Sequence, residues 1–237
     1  MKSILITGAS SGIGRASAEK FLAAGWQVGL VARRKDILEK MASAHGGAIA
    51  LPADVTDAEA MAGVFAKFMA ETGRLDAIFN NAGMFGPAAT IDEVSLDDFD
   101  QVVAVNLRGM FIAARLAFAH MRGQSPQGGR IINNGSISAY TPRENSVCYT
   151  TTKHAVTGLT KTLSLDGRPF DIACGQIDIG NAETELVAGI KKNYPGLPTM
   201  DVKEAAGAVL HMAELPLEAN VQFMTIMATK MPYIGRG

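Results

Sequence analysis

Short apolar runs alternate along this chain with longer amphipathic stretches, and that rhythm narrows its fold more than any other feature. The runs at 3–6, 28–32 and 48–51 are followed by amphipathic stretches beginning at Gly14, Lys35 and Asp57. Further runs at 77–79, 130–133 and 172–176 alternate with helical patterns over 96–121 and 146–165, and a last helix over 202–213 precedes a last strand over 221–227. Strands separated by helices pair in parallel, because the crossover returns each strand in the same direction. The expected fold is therefore α/β, a Rossmann-like doubly wound sheet of seven parallel strands with helices on both faces. Such sheets bind ligands beyond the carboxyl ends of their strands, and every motif below falls at such an end.

The 237 residues suit one domain spanning 1–237, with no internal repeat, low-complexity segment or linker composition to divide it. A net charge of -1, from 22 basic and 23 acidic residues, provides no broad cationic surface for nucleic acid or an acidic membrane, so a small-molecule partner is expected. The two cysteines, Cys148 and Cys174, form neither a disulfide framework nor a metal-ligand cluster, which fits buried thiols, no bound metal and a reducing compartment. The leading run 4–6 is too short for a secretory segment, and the later apolar runs are interrupted short of a membrane span, giving the expectation of a cytoplasmic protein without membrane attachment. The least regular stretch, 178–199, holds Gly180, Gly189, Pro195, Gly196 and Pro198 and has the length of a substrate lid.

Three motifs carry chemistry. Between the first strand and first helix lies Thr-Gly-Ala-Ser-Ser-Gly-Ile-Gly, residues 7–14. Gly8, Gly12 and Gly14 let the backbone turn sharply and approach a pyrophosphate, whose charge a helix N-terminus favours; Ser10, Ser11 and Ile13 complete the turn as candidate contacts. Tyr149 and Lys153 are four residues apart, one helical turn, so the ammonium can stand beside the phenol and favour its ionised form. Bringing a Tyr from ~10 to ~7 takes roughly 4 kcal/mol, more than one solvated charge supplies, so partial burial and a bound cofactor are expected to help. Ser136, thirteen residues upstream of Tyr149, can hydrogen-bond the same substrate oxygen.

This turn, the Ser136, Tyr149 and Lys153 set, the segment Asn80-Asn81-Ala82-Gly83 and Asn106 together resemble the classical short-chain dehydrogenase/reductase family over nearly the whole chain. The resemblance implies a nicotinamide-dependent oxidoreductase acting on a carbonyl or alcohol. Tyr149 would give a proton to the carbonyl oxygen as hydride reaches carbon, or take it from an alcohol. Ser136 would hold that oxygen, and Lys153 would lower the Tyr149 pKa and bind the nicotinamide ribose. Asn106 would hold a water leading from Lys153 to solvent, while Asn81, Ala82 and Gly83 would lie beside the adenosine ribose. Homodimers or homotetramers built through the two longest helices are also implied.

Cofactor choice turns on the end of the second strand, where an NAD site would show an acid; this chain reads Val31-Ala32-Arg33-Arg34. Arg33 offers a planar donor fork to the 2′-phosphate of NADP, with Arg34 or Arg15 adding charge, and Asp36 keeps NAD possible. Asp54 and Val55, after the third strand, match the family's adenine contact. Where the family has Pro-Gly beside the nicotinamide, this chain has Ile179-Gly180, with Thr184 in its usual place; Ile179 frees φ and restores a backbone donor, so that loop is expected to be looser or shifted. Met84, Phe85, Ser138, Tyr140, Arg143, Asn145 and the lid from 181 to 194 would shape the substrate pocket. The methionine-rich last strand would serve the core or a subunit contact. Two other functions fit the same residues: a dinucleotide-binding sensor or scaffold without turnover, and a carbon-carbon double-bond reductase.

Overall fold

β-strands at Ser3–Thr7 (β1), Gln27–Ala32 (β2), Ala48–Pro52 (β3), Ala77–Asn80 (β4), Gly129–Asn134 (β5), Ile172–Gly180 (β6) and Phe223–Met227 (β7) form one parallel sheet in a computed structural model that describes residues 1–185, 187–188 and 196–234. The order is β3-β2-β1-β4-β5-β6-β7, so the chain runs outward from β1 to one edge and then crosses back to build the other half. The crossing between β3 and β4 leaves a crevice at the carboxyl ends of β1 and β4. Helices α1 (Gly12–Ala23), α2 (Lys35–Ala44), α3 (Ala58–Thr72), α4 (Leu96–Gly123), α5 (Val147–Gly167) and α6 (Val202–Glu214) cover both faces.

Alternation along each strand divides the core. Ile4 and Ile6 of β1 join Val28, Leu30, Phe21 and Val209 under α1, α2 and α6. Leu5, between them, joins Val31, Leu51, Phe65 and Ile112 under α3 and α4. Both faces of the central strands are therefore apolar, which is why the sequence shows continuous runs there. Helix α3 begins where Asp57 accepts hydrogen bonds from the backbone N–H groups of Glu59 and Ala60, and ends at Gly73 in the left-handed region at φ 75°. Arg130 of β5 is buried and donates to the carbonyls of Leu215, Pro216 and Ala219, tying down the turn that follows α6.

Two expectations need correction, on β6 and on the lid. β6 continues to Gly180, four residues past the apolar run, because Gln176 and Asp178 are buried polar residues and a pattern of apolar positions stops at them. Helix α4 is long and apolar enough to cross a bilayer by length and composition, although no single uninterrupted run within it is; Ile112, Ala113, Ala117 and Met121 pack its inner face on the sheet. The expected lid is not one irregular loop: Ala182 bridges Met200 in parallel and residues 185, 187 and 188 are helical. Of its other members, 186 and 189–195, with Gly189, Tyr194 and Pro195, lie outside the described residues.

Candidate active site

β1 delivers the chain into the turn at Gly8, whose φ is +68°, and Gly12 follows at φ +50°; both conformations are strained for any side chain. Gly14 is required for a different reason. A Cβ there would lie 2.2 Å from the Gly8 carbonyl oxygen and 2.6 Å from Asn81 Nδ2, so only glycine lets α1 sit this close to the turn. Ser11 occupies the N-cap of α1 in extended conformation, yet its side chain makes no capping bond, and no acid occupies the first turn. The amides of that turn are left to an anion, and the bare glycine backbone admits a pyrophosphate against them.

The turn is braced from β4. Thr7 Oγ1 accepts from the backbone N–H groups of Asn81 and Ala82, and Asn81 Nδ2 donates back to the Thr7 carbonyl at 3.0 Å. Asn134, at the end of β5, donates to Asn81 Oδ1 at 2.9 Å. These bonds hold the ends of β1, β4 and β5 around one cleft of about 680 Å³. Gly8, Ser10, Ser11, Gly12, Ile13, Asn81, Ala82 and Gly83 line it, whereas Gly14 lies behind the turn.

At the end of β2, Arg33 and Arg34 both line the cleft. Arg34 is anchored: Nε and Nη2 donate to Ser10 Oγ at 3.1 and 3.0 Å, tying the basic pair to the glycine turn. Arg33 is exposed and lies 4.0 Å from the Asp54 carboxylate. Asp54 and Val55 line the same end. Asp54 titrates below the usual range chiefly because the Thr56 backbone N–H donates to it, with further help from the Thr56 hydroxyl and Arg33 against the effect of burial. Arg15 is not at the cleft; it pairs with Glu19 at 2.9 Å, and Asp36 does not line the cleft either.

Ser136, Tyr149 and Lys153 line the cleft together. Ser136 follows β5 and caps a short 3-10 turn, Ile137–Ala139, its hydroxyl accepting from Ser138 N at 3.1 Å. One helical turn separates Tyr149 from Lys153 on α5, and Lys153 Nζ stands 5.4 Å from the centre of the Tyr149 ring while donating to the Asn134 carbonyl at 2.7 Å. The ammonium therefore faces the ring and a carbonyl. Here the sequence expectation is corrected, for burial pushes the Tyr149 phenol up; the Ser136 hydroxyl and the Arg143 charge pull it down, and Asp178 opposes them. Burial does not help the phenol ionise, because it removes the water that would solvate the anion. Burial likewise lowers Lys153 to about 8, with Asp178 acting in the other direction.

Asn106 is fully buried in a π turn, Ala104–Gly109, within α4. Its Oδ1 accepts from Met84 N at 2.8 Å, and its Nδ2 donates to Met84 O and Thr152 Oγ1 at 2.8 and 3.2 Å. The side chain thus clips the loop after β4 to α5 and does not itself line the cleft. Ile179 stays in β6 opposite Ile226, so the residue that replaces proline extends the sheet rather than loosening it. Thr184 lines the cleft, its Cγ2 3.2 Å from where a Gly12 Cβ would be, and its hydroxyl accepts from Val187 N.

Met84, Phe85, Ser138 and Arg143 line the cleft as expected; Tyr140 and Asn145 do not. Phe85 meets the Tyr149 ring edge-on at 4.8 Å, and Arg143 lies over both rings at 5.4 and 5.9 Å. Among residues that the sequence reading did not assign to the site, Asn134 and Met231 line the cleft and Gln176 and Asp178 lie buried behind it. An acid in an otherwise apolar strand marked Asp178, but nothing local marked Met231, which reaches the cleft beyond β7.

The chain is 33% identical over 189 residues to a 3beta-hydroxysteroid dehydrogenase of Mediterraneibacter gnavus, covering 78% of this chain and 67% of that protein. The fold superposes with a TM-score of 0.90 on a 3-ketoacyl-(acyl-carrier-protein) reductase from Brucella melitensis complexed with NADH, at 27% identity, over 97% of this chain and 98% of that one. The solved structure of ElxO with NADP bound gives a TM-score of 0.87 at 26% identity, over 96% and 97% of the two chains. Residues 2–195 match the sequence profile of the short chain dehydrogenases, and the chain belongs to that family of oxidoreductases.

Proposed function

We propose that this protein is an NADP-dependent oxidoreductase that moves a hydride between nicotinamide and a carbonyl or alcohol, with Tyr149 as general acid/base. The observation that carries the reading is a single cleft lined by Ser136, Tyr149 and Lys153 together with the glycine turn and the Arg33-Arg34 pair. The residues fit a dinucleotide: uncapped amides of α1 suit the pyrophosphate, and Asn81, Ala82, Asp54 and Val55 flank the path to the arginines. When bound, nicotinamide supplies or accepts the hydride. Ser136 then holds the substrate oxygen, Tyr149 passes a proton to it, and Lys153, steadied by Asn134, supplies the positive charge that offsets the phenolate. Burial alone makes Tyr149 a weaker acid, so these partners must stabilise its anion within the ternary complex.

The basic pair and the absence of an acid at the end of β2 support NADP, the nucleotide in the ElxO structure; the NADH held by the Brucella reductase keeps NAD as a second substrate. Residues 1–237 act as one domain in this reading, with a homodimer or homotetramer assembled through α4 and α5, on whose outer faces Phe111 and Leu165 are exposed. A panel of ketones, aldehydes and alcohols, read by nicotinamide absorbance, tests the activity. Turnover with ketones supports it; nucleotide-dependent thermal stabilisation with no turnover on any of them would leave a sensor. Replacing Arg33 and Arg34 together by Ser is expected to weaken NADPH binding about 100-fold, roughly 2.7 kcal/mol, and NADH binding much less, through the lost tether to Ser10 alone. Equal loss for both nucleotides, by fluorescence titration, would assign the pair another role.

A further inference from the structure

Asp178 sits beneath the reactive end of the cleft, in β6, and is completely buried. Its Oδ1 accepts from the Ser136 backbone N–H at 2.9 Å and from Gln176 Nε2 at 2.7 Å. Gly135 makes the approach possible, since a Cβ there would lie 2.1 Å from that same oxygen. Gln176 cannot swing aside: its Nε2 donates to Thr157 Oγ1 at 3.1 Å and its Oε1 accepts from Thr160 Oγ1 at 3.1 Å. Thr160 in turn accepts from Asn133, and Asn133 from Asn80, so a buried polar chain crosses β6, β5 and β4 with the carboxylate at its end.

A buried carboxylate is costly unless its charge is compensated: burial pushes Asp178 above the usual carboxylate range, while the Gln176 amide, the Ser136 backbone N–H, Tyr140 and the Lys153 charge pull it back down. The groups facing it are those of the reaction centre. Lys153 and Tyr149 approach from α5, Ser136 from the turn after β5, and Tyr140 from the segment beyond it, with Tyr233 coupled to Tyr140. Burial first, and the Asp178 carboxylate second, push the Tyr140 phenol up to about 12. Nothing about binding a nucleotide needs a negative charge here, and Asp178 does not line the cleft.

We propose that Asp178 is a positioning residue for the reaction: it fixes the main chain at Ser136 from behind and acts through its charge on Lys153 and Tyr149. The inference rests on the assignment of Ser136, Tyr149 and Lys153 to catalysis. A carboxylate beside an ammonium and a phenol makes both hold their protons more tightly, which keeps the ammonium charged and the phenol a donor as pH rises through the neutral range. Carbonyl reduction needs both protonated, so its rate falls as pH rises past their loss. Without the carboxylate that fall begins at lower pH.

Asp178→Asn keeps the shape and an acceptor for Ser136 N–H while removing the charge. The expected result is NADPH affinity within about twofold of the parent, the alkaline limb of the kcat profile moved down by about half a pH unit or more, and a loss of kcat for ketone reduction that is about twofold or less at neutral pH and grows as pH rises into that limb. Gln176→Met, which removes the amide donor and so favours protonation of the carboxylate, is expected to move the limb the same way by less, and it reads the effect independently should Asp178→Asn fold poorly. An unmoved alkaline limb in both variants overturns the proposal, even if stability or kcat falls, because that is what a purely structural role would give. If Tyr149→Phe is inactive while Asp178→Asn behaves as the parent, this inference fails alone; if Tyr149→Phe keeps full turnover, the assignment beneath it fails.

Discussion

Tyr149→Phe is expected to lower kcat for carbonyl reduction by about 10²- to 10⁴-fold, the range that a positioned proton donor contributes. The ring would remain in place, since Phe85 holds it edge-on at 4.8 Å and Arg143 lies above it, and neither contact uses the hydroxyl. NADPH affinity is therefore expected to stay close to that of the parent, by fluorescence titration. Loss of turnover with retained binding separates proton transfer from folding. A variant with parental kcat would remove Tyr149 from the chemistry, and one that loses binding in the same proportion would make it a wall of the nucleotide site.

Gly14→Ala should have the largest effect on nucleotide capture. The added methyl would lie 2.2 Å from Gly8 O and 2.6 Å from Asn81 Nδ2, and neither can retreat, because Gly8 is held in a left-handed turn and Asn81 is bonded to Thr7 and Asn134. Helix α1 must therefore tilt away, taking its first-turn amides with it. Overpacking of this kind costs typically 1–3 kcal/mol of stability. NADPH at 100 times its parental Kd should stabilise the parent by about 2.7 kcal/mol against denaturant and the variant by almost none. Undiminished nucleotide stabilisation of Gly14→Ala would mean that the pyrophosphate is held elsewhere.

The architecture was legible because both faces of this sheet are covered, so its strands are written as unbroken apolar runs, as at Ile4, Leu5 and Ile6. The same rule explains the failure at β6. Asp178 and Gln176 are as buried as any leucine, but their burial is made tolerable by Thr157, Thr160 and Ser136, partners 16 to 42 residues away in sequence that no local pattern reveals. The trio Ser136, Tyr149 and Lys153 was readable from spacing because two of its members share one helix. The effect of burial on Tyr149 was not: the sequence suggested that partial burial would assist the ammonium, whereas the fold ties Lys153 to the Asn134 carbonyl and burial works against ionisation of the phenol. Arg33 was read as the fork for the phosphate. It is Arg34 that the fold has fixed in place, through Ser10 of the glycine turn after the neighbouring strand β1.

That tether bears on how a dinucleotide would depart. Ser10 belongs to the loop that would grip the diphosphate and Arg34 to the rim that would grip the distant sugar, so loosening one hand loosens the other. Because the guanidinium is already immobilised, little rotational freedom remains to be surrendered on capture. Preference between the two nicotinamide coenzymes should accordingly be expressed in residence time, with the unphosphorylated form escaping sooner, more than in how fast either one arrives.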